Sequence, residues 1–207
     1  SSPSRGLGDV YKRQPNNCMA RRFSKSLGRK TYSNPLSGIS SLGEDDALNL
    51  LDEMDEIPFL LIMDQVQDPR NLGACLRSAD GAGVNLVVMT SERSAGLTEV
   101  VRHVAAGGAE SLPLARAKNL ARFLLKLKER SIRLVGTCDN AKTSIFDANL
   151  RDSLAIVVGA EGTGIRRLTS DMCDELVHIP MLGKVECLNV SVATGVCLFE
   201  ASRQRRV

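Results

Sequence analysis

An apolar strand followed by a helix and a second apolar strand is the feature that most limits the folds open to this chain. Residues 59–63 form a continuous apolar run, and residues 84–89 form a second run that is almost entirely apolar. Between them, Asp68-Pro69 marks a helix start, and apolar residues then recur at helical spacing as far as Gly81. Strands joined through a helix in this way lie parallel, and strands buried on both faces lack polar alternation. The sequence therefore predicts an α/β protein.

The same pattern continues toward the carboxyl end of the chain. Strands are predicted over residues 132–137, 154–158 and 176–179, with a short one at 112–114. Because aromatic residues make up only 3% of the chain and hydrophobic residues 43%, the core must be mostly aliphatic. We expect an open sheet of five or six mostly parallel strands flanked by helices. The predicted helices span residues 44–55, 69–80, 97–106, 117–130, 166–173 and 189–203.

Charge divides the chain into three parts. Residues 1–43 carry eight Lys and Arg against one acid, and they are predicted to form a basic, disordered extension. Such a tail is either a nucleic-acid contact or simply a solvated segment. Its first 14 residues differ so much from the rest of the chain that we interpret them as an artefact. Residues 44–57 are predicted to be a short acidic helix or linker, and residues 58–207 the folded domain.

Composition also excludes several classes of protein. No apolar run approaches the length of a membrane span, and no signal peptide is visible. The six cysteines are scattered without a C-x-x-C pair, which indicates reduced thiols in a cytoplasmic protein. Only two histidines are present, so no metal site is expected. No credible Ser-His-Asp or Cys-His arrangement is found.

The glycine-rich turn from Gly159 to Gly164 directly follows a predicted strand. Its order is G-x-x-G-x-G, which differs from the dinucleotide fingerprint, and no Lys-Ser/Thr follows Gly164 as a Walker motif requires. The turn nevertheless lies where ligands of α/β sheets usually bind, and it carries one carboxylate, Glu161.

Two further segments carry candidate binding residues. Asn71 and Arg77 lie nearly two helical turns apart, and arginine offers a rigid fork of donors for phosphate or carboxylate. From the pattern alone, a surface ion pair between Arg77 and Asp80 is favoured over that role. Asn189 is predicted to cap the last helix. The small and β-branched residues that follow it indicate either close approach by a ligand or tight packing.

Three motifs taken together carry a specific resemblance. The chain resembles the SpoU (TrmH-like) RNA ribose 2′-O-methyltransferases of the SPOUT superfamily over roughly residues 57–205. The likeness is closest to members that methylate a guanosine ribose of large-subunit ribosomal RNA. The motifs, in chain order, are DPRNLGACLRSAD at residues 68–80, VGAEGTG at 158–164 and IPMLGKVECLNVSVA at 179–193.

This resemblance implies properties that periodicity cannot show. It implies a deep trefoil knot in the carboxyl-terminal half of the domain, S-adenosylmethionine bound in the knot loops, and a homodimer that shares the active site. The residues implied to frame the cofactor are Gly159, Ile179, Met181 and Leu188. The residues implied to form the catalytic set are Asn71, Arg77, Glu161 and Asn189.

The implied reaction is methylation of a ribose 2′-hydroxyl. Arg77 is assigned in this family as the proton acceptor, but an arginine side chain stays protonated in proteins, which favours a role in orienting the 2′-oxygen and stabilising its charge. Cys187 stands where the family usually has serine, which weakens any hydrogen bond there. Ribosomal RNA is the leading predicted substrate and transfer RNA the runner-up. A non-enzymatic alternative is an RNA-binding homologue that kept the fold and lost activity through Cys187 and truncation.

Overall fold

The computed structural model describes residues 31–33 and 40–206 of the chain. These residues form nine strands of one sheet and seven helices. The strands are β1 Thr31–Ser33, β2 Ser40–Leu42, β3 Phe59–Asp64, β4 Leu86–Thr90, β5 Leu114–Ala117, β6 Arg133–Thr137, β7 Thr143–Ser144, β8 Leu154–Gly159 and β9 Glu175–His178. The helices are α1 Glu44–Asp52, α2 Pro69–Ala82, α3 Glu99–Ala105, α4 Gly108–Ser111, α5 Leu120–Glu129, α6 Arg167–Met172 and α7 Val190–Arg205.

The sheet has the order β1-β2-β5-β4-β3-β8-β6-β9-β7. All neighbouring strands pair parallel except β1 and β2, which pair antiparallel. Strands β3 and β8 lie side by side at the centre, with Asp64 opposite Gly159 in register. Parallel strands end at the same edge, so the loops after β3, β8, β6 and β9 emerge close together. The predicted parallel α/β architecture is confirmed.

The aliphatic core has two layers, one on each face of the sheet. In β3, Phe59, Leu61 and Met63 pack into the layer under α2, α3, α4 and α7. Leu60 and Ile62 point to the other layer, which α1 and α5 cover. Because both faces are buried, the central strands need apolar residues at every position, and this explains the unbroken apolar runs in the sequence.

Two predictions about the amino-terminal part of the domain are wrong. Strand β2 pairs with β5 in the main sheet, and Leu42 is buried in the core, so the extension predicted over 1–43 is not wholly disordered. The segment 44–57, predicted as a short acidic helix or linker, does contain a helix, α1, but it is not a linker, because its buried residues Ala47, Leu48 and Leu51 belong to the core. The sheet also exceeds the predicted five or six strands, since two- and three-residue strands are too short to show periodicity. Residues 1–30 and 34–39 lie outside the described part.

Three further expectations concern a knot, membrane-spanning segments and a metal site. The implied trefoil knot stays a prediction. Within residues 31–33 and 40–206, no helix combines the length and apolarity needed to cross a membrane. The same residues contain no group of three or more His, Cys, Asp or Glu side chains arranged to hold a metal ion.

Candidate active site

The first element of the site is the start of α2, which fixes the position of Asn71. Asp68 caps this helix, and its carboxylate accepts hydrogen bonds from the backbone amides of Arg70 at 2.6 Å and Asn71 at 3.3 Å. Pro69 follows at the first helical position, where a missing N–H costs nothing. Asn71 therefore lies in a well-defined first turn, just beyond the end of β3.

The second element is the turn after β8, which carries Glu161. Ala160 and Gly164 exchange two backbone hydrogen bonds of 3.1 and 2.8 Å, so Glu161 lies at the tip of a short closed loop. Gly162 and Gly164 have positive φ angles of 79° and 65°, which favour glycine. A Cβ atom at Gly159 would lie 1.9 Å from the carbonyl carbon of Gly164. The loop is folded so tightly onto the strand end that only glycine fits there.

The third element is the start of α7, where Asn189 is the predicted and observed N-cap. Its Oδ1 accepts hydrogen bonds from the backbone amide of Ser191 at 2.9 Å and from the Ser191 hydroxyl at 2.7 Å. Because Oδ1 is committed to the helix, Nδ2 must point the other way. The cap thus orients an amide donor toward the ends of β3 and β8.

These three elements bring Asn71, Glu161 and Asn189 into one hydrogen-bonded triangle. Asn189 Nδ2 donates to Asn71 Oδ1 at 3.1 Å and to Glu161 Oε1 at 3.1 Å. Asn71 Nδ2 donates to Glu161 Oε2 at 3.0 Å. Each amide orientation supports the other, since reversing either one would place two donors or two acceptors together. The sequence separations of 90 and 118 residues show that only the fold assembles this group.

The triangle is electrostatically unusual because its carboxylate has amide partners only. Within residues 31–33 and 40–206, Glu161 takes part in no ion pair. A carboxylate has about four lone-pair positions, so Glu161 keeps acceptor capacity beyond the two amide hydrogen bonds. The side chain is exposed, so a hydroxyl or a cationic group of a ligand can reach it.

Arg77, the fourth predicted catalytic residue, lies outside the triangle. Its side chain is exposed on α2, and among the described residues no hydrogen bond or ion pair engages it. The alternative surface pair with Asp80 is absent, because the Asp80 carboxylate accepts a hydrogen bond from Ser111 instead. Gly108 packs closely against the part of α2 that carries Arg77. A Cβ atom at Gly108 would lie 2.9 Å from the Leu76 carbonyl oxygen. The helix under Arg77 is therefore fixed, while its guanidinium is available to a ligand.

The residues expected to frame the cofactor all lie at the same edge. Gly159 ends β8, Ile179 follows β9, and Met181 and Leu188 belong to the segment that leads into α7. The three apolar side chains are half-buried, and Ile179 packs against the core. Beside them, Nδ1 of His178 is buried without a hydrogen-bond partner in the part of the chain that the structure describes. Half-buried apolar side chains next to an unsatisfied polar atom suit a ligand with an aromatic ring system and polar edges.

Sequence reasoning missed a charged pair at the base of the site. Asp64, the last residue of β3, is fully buried at 0% exposure, and Arg166 pairs with it through Nη2 at 2.7 Å. A signal was available, since an acid that ends an unbroken apolar strand requires a partner. Its partner, 102 residues away, could not be found from any local pattern.

Three cysteines are excluded as nucleophiles by their surroundings. Burial raises the pKa of Cys75 to about 11 and the pKa of Cys173 and Cys197 to about 12. These thiols stay protonated at neutral pH, and the thiolate is the reactive form. The exposed Cys187 lies in the segment before α7, two residues from Asn189.

Comparison with known proteins identifies the family. The model of the SpoU rRNA Methylase family matches residues 58–199, which include all four predicted catalytic residues. The chain belongs to the SpoU rRNA Methylase family. The predicted resemblance is confirmed, and the motifs that carry it are the three elements that build the triangle.

Individual relatives within the SpoU family agree with this assignment. A Pectobacterium atrosepticum protein named 23S rRNA (guanosine-2′-O-)-methyltransferase RlmB is 56% identical over 162 residues, which cover 78% of this chain and 66% of that protein. A Shewanella oneidensis protein of the same name is 54% identical over 189 residues, or 88% of this chain and 76% of that one. The chain thus spans somewhat less than two thirds of the first relative.

A solved structure shares the fold. The SpoU methyltransferase AviRb from Streptomyces viridochromogenes, in complex with the cofactor AdoMet, matches with a TM-score of 0.69 and 27% sequence identity. The match covers 74% of this chain and 63% of that chain. The fold and the family are therefore supported by both sequence and structure.

Proposed function

We propose that the protein transfers a methyl group from S-adenosylmethionine to a ribose 2′-hydroxyl of RNA, with a guanosine of 23S ribosomal RNA as the substrate. The observation that carries this proposal is the triangle of Asn71, Glu161 and Asn189. Three motifs distant in sequence converge on it at the edge where α/β proteins bind ligands. The names of the RlmB relatives support the choice of guanosine and of 23S ribosomal RNA. A cytoplasmic location follows from that substrate and belongs to the proposal.

The cofactor is placed in the loops after β8 and β9. Gly159, Ile179, Met181 and Leu188 would hold it, largely through backbone groups, and His178 Nδ1 is an unsatisfied atom at this edge that it can satisfy. When bound, S-adenosylmethionine supplies an electrophilic methyl carbon on a sulfonium, so the reactivity comes from the cofactor. The protein's task is to place the 2′-oxygen in line with that carbon and to ease loss of the hydroxyl proton.

The described side chains divide this task between two groups. The triangle presents Glu161 as a fixed acceptor that can orient a hydroxyl group. Arg77 carries an unengaged guanidinium that can bind the adjacent phosphate and stabilise negative charge on the 2′-oxygen. Because an arginine stays protonated at neutral pH, we assign Arg77 to charge stabilisation and orientation and not to proton removal.

A homodimer is part of the proposal, and α7 supplies the contact. Val192 and Phe199 are 52% and 51% exposed, and they lie seven residues apart on one face of the helix. The half-buried Ala193 and Val196 lie on the same helix. Sedimentation at micromolar concentration should show a dimer, and Ala193→Arg should dissociate it. A monomeric parent protein would contradict this part of the proposal.

Cofactor choice is tested by calorimetry with S-adenosylmethionine, NAD and ATP. We expect binding of the first and none of the other two, because the glycine spacing matches neither nucleotide fingerprint. Tight binding of NAD without a signal from S-adenosylmethionine would overturn the assignment of the site.

Substrate choice is tested by methyl transfer to total ribosomal and transfer RNA that lack the modification. We expect label in 23S RNA, mapped by mass spectrometry to the ribose of one guanosine. Label found only in transfer RNA would identify transfer RNA, and not ribosomal RNA, as the substrate. RNA binding without transfer would support the alternative of a weakened RNA-binding homologue.

A further inference from the structure

The buried carboxylate of Asp64 receives all its described hydrogen bonds from one residue. Arg166 Nε donates to Oδ1 at 2.8 Å, Nη2 lies 2.7 Å from the same oxygen, and the Arg166 backbone amide donates to Oδ2 at 3.3 Å. Burying a carboxylate without a partner is strongly unfavourable, so the position of Arg166 is tied to the end of β3. Arg166 is therefore bound to the Asp64 carboxylate through its backbone amide as well as through its side chain.

This pair closes the base of the loop that carries Glu161. Asp64 lies opposite Gly159 in the sheet, and Arg166 follows the loop that starts at Gly159. The loop is already closed by the bridge between Ala160 and Gly164. The bridge fixes the shape of the loop, whereas the ion pair fixes where its far end lies relative to β3.

The end of β3 also leads to Asn71, the amide that meets Glu161. Asp64 precedes the Asp68 cap by four residues, and the cap sets the first turn of α2. The donor and the acceptor of the Asn71–Glu161 hydrogen bond therefore belong to the two chain segments that the Asp64–Arg166 ion pair joins. A shift of Arg166 would move Glu161 while leaving Asn71 in place.

We infer that Asp64 and Arg166 are positioning residues for methyl transfer, which hold the Glu161 loop in register with Asn71 and Asn189. This inference rests on the proposed function for its effect on rate, and on the contacts alone for its effect on the loop. No hydrogen bond or ion pair joins either described residue to a side chain of the triangle. Their contribution is to the geometry of Glu161.

The test compares Arg166→Ala with a matched control, Arg130→Ala. Arg166 is 47% exposed at its side chain, so its removal opens a site that solvent can reach. Arg130 likewise makes two contacts of 2.7 Å to one carboxylate, Asp52, but in the contact between α1 and α5. Because Arg166→Ala leaves a buried charge, Arg166→Lys is made as a second variant that retains a cation.

The first measurement is single-turnover methyl transfer at saturating RNA and cofactor. For Arg166→Ala we expect a rate lower by about 10- to 100-fold, the cost of a misplaced reacting geometry, with both ligand affinities changed only a few fold. Guanidinium ion at millimolar concentration should restore part of that rate, and Arg166→Lys should be intermediate. Arg130→Ala should transfer at the parent rate and show no rescue. An unchanged rate in Arg166→Ala would overturn the inference.

The second measurement is amide hydrogen exchange, which does not depend on activity. Exchange at Ala160 and Gly164 should rise in Arg166→Ala and stay unchanged in Arg130→Ala, while peptides from β3 keep their protection. Equal protection of the loop in all variants would overturn the inference. If the parent protein transfers no methyl group, the proposed function fails, and the exchange data still decide whether the pair holds the loop.

Discussion

Two regions of this molecule join distant parts of the chain through carboxylates, and they do so in opposite ways. In the α1–α5 contact, defined here by Glu44–Asp52 and residues 120–130, each bonded acid has a cation: Arg122 lies 3.0 Å from Glu44, and Arg130 lies 2.7 Å from Asp52. At the candidate active site, the only donors that Glu161 receives from the described residues are amides. A carboxylate neutralised by its neighbour stabilises the fold, whereas one held by neutral amides keeps its charge and lone pairs for a ligand.

The surroundings of the two regions differ in the same sense. Glu44 is 11% exposed and also accepts hydrogen bonds from the backbone amides of Lys118 at 2.7 Å and Asn119 at 3.4 Å. Glu161 is exposed at the tip of a glycine loop. The contrast predicts that substitutions of the exposed polar side chains of the site change methyl transfer and leave stability intact, and that substitutions in the α1–α5 contact do the reverse.

The largest effect is expected from Arg77→Ala, which removes the unengaged cation of the site. Methyl transfer should fall by about 100- to 1,000-fold, the range seen when a donor to developing negative charge is lost. Cofactor affinity should stay within a few fold, because among the described residues no hydrogen bond joins the guanidinium to the cofactor-framing residues. Arg77→Lys keeps the charge but loses the planar fork, so it should also be poor. Single-turnover rates test this, and near-normal transfer by Arg77→Ala would make it an ordinary surface residue.

Gly159→Ala should distort the loop that carries Glu161. The added Cβ atom has no room against the Gly164 carbonyl, and overpacking of this kind costs about 1–3 kcal/mol. We expect the clash to displace the loop that would frame the cofactor, so that cofactor binding weakens by about 10-fold or more, where tenfold in affinity corresponds to about 1.4 kcal/mol. Calorimetry checks this, with Gly96→Ala as the control, because Gly96 lies outside the cofactor loops and a Cβ atom there has its nearest neighbour at 3.6 Å, an ordinary van der Waals contact. Equal affinities in both variants would contradict the close approach.

Glu44→Gln should reduce stability and leave methyl transfer unchanged. Burial alone would raise the pKa of Glu44, but hydrogen bonds from Arg122 and two backbone amides outweigh it and lower the pKa below its ordinary value of 4.5. A lowered folded-state pKa contributes stability that is present above 4.5 and is lost as the pH falls through the folded-state value. We expect a loss of about 1 kcal/mol at pH 7.

Denaturant unfolding as a function of pH measures that effect. The difference between Glu44→Gln and the parent should shrink as the pH falls below 4.5. A difference that is constant from neutral to strongly acidic pH would assign the loss to packing and not to the charge. Asp45→Asn is the control, because Asp45 is exposed and its 3.5 Å pair with Lys126 should add no measurable stability.

The smallest effect is expected from Cys187→Ser. Cys187 is exposed in the segment before Asn189, so the change should not alter stability. A hydroxyl is a better hydrogen-bond partner than a thiol, and transfer should be retained or rise a few fold. Rates measured with Cys138→Ser as the control check this. A clear loss of transfer would show that the thiol is needed.

Local sequence signals predicted the elements that have clear helix-capping residues or unbroken apolar runs. Asp68-Pro69 and Asn189 mark helix starts, and both lie at the caps of their helices. The central strands were evident because burial on both faces removes polar positions. The short strands β1, β2 and β7 have too few residues to show a period, and only the sheet gives them a partner.

The active site could be predicted only in part. Local pattern alone favoured an Arg77–Asp80 pair that does not form, and the family resemblance was needed to join Asn71, Glu161 and Asn189 into one catalytic set. Their meeting depends on the order of the strands, which periodicity does not encode. The Asp64–Arg166 pair was missed for the same reason, since the acid at the end of β3 indicates that a partner exists but not which residue, 102 positions away, provides it.

We expect methyl transfer to depend on Glu161 as a charged hydrogen-bond acceptor whose remaining lone pairs are free for the substrate hydroxyl. The most direct test of this dependence is the single-turnover rate of methyl transfer to 23S ribosomal RNA by Glu161→Gln, measured beside Glu44→Gln, with the unfolding free energy of both. The account predicts a rate about 100-fold lower for Glu161→Gln, with unchanged stability, because the amide has one acceptor oxygen and no charge. It predicts the parent rate and reduced stability for Glu44→Gln. Transfer by Glu161→Gln at the parent rate would contradict the account.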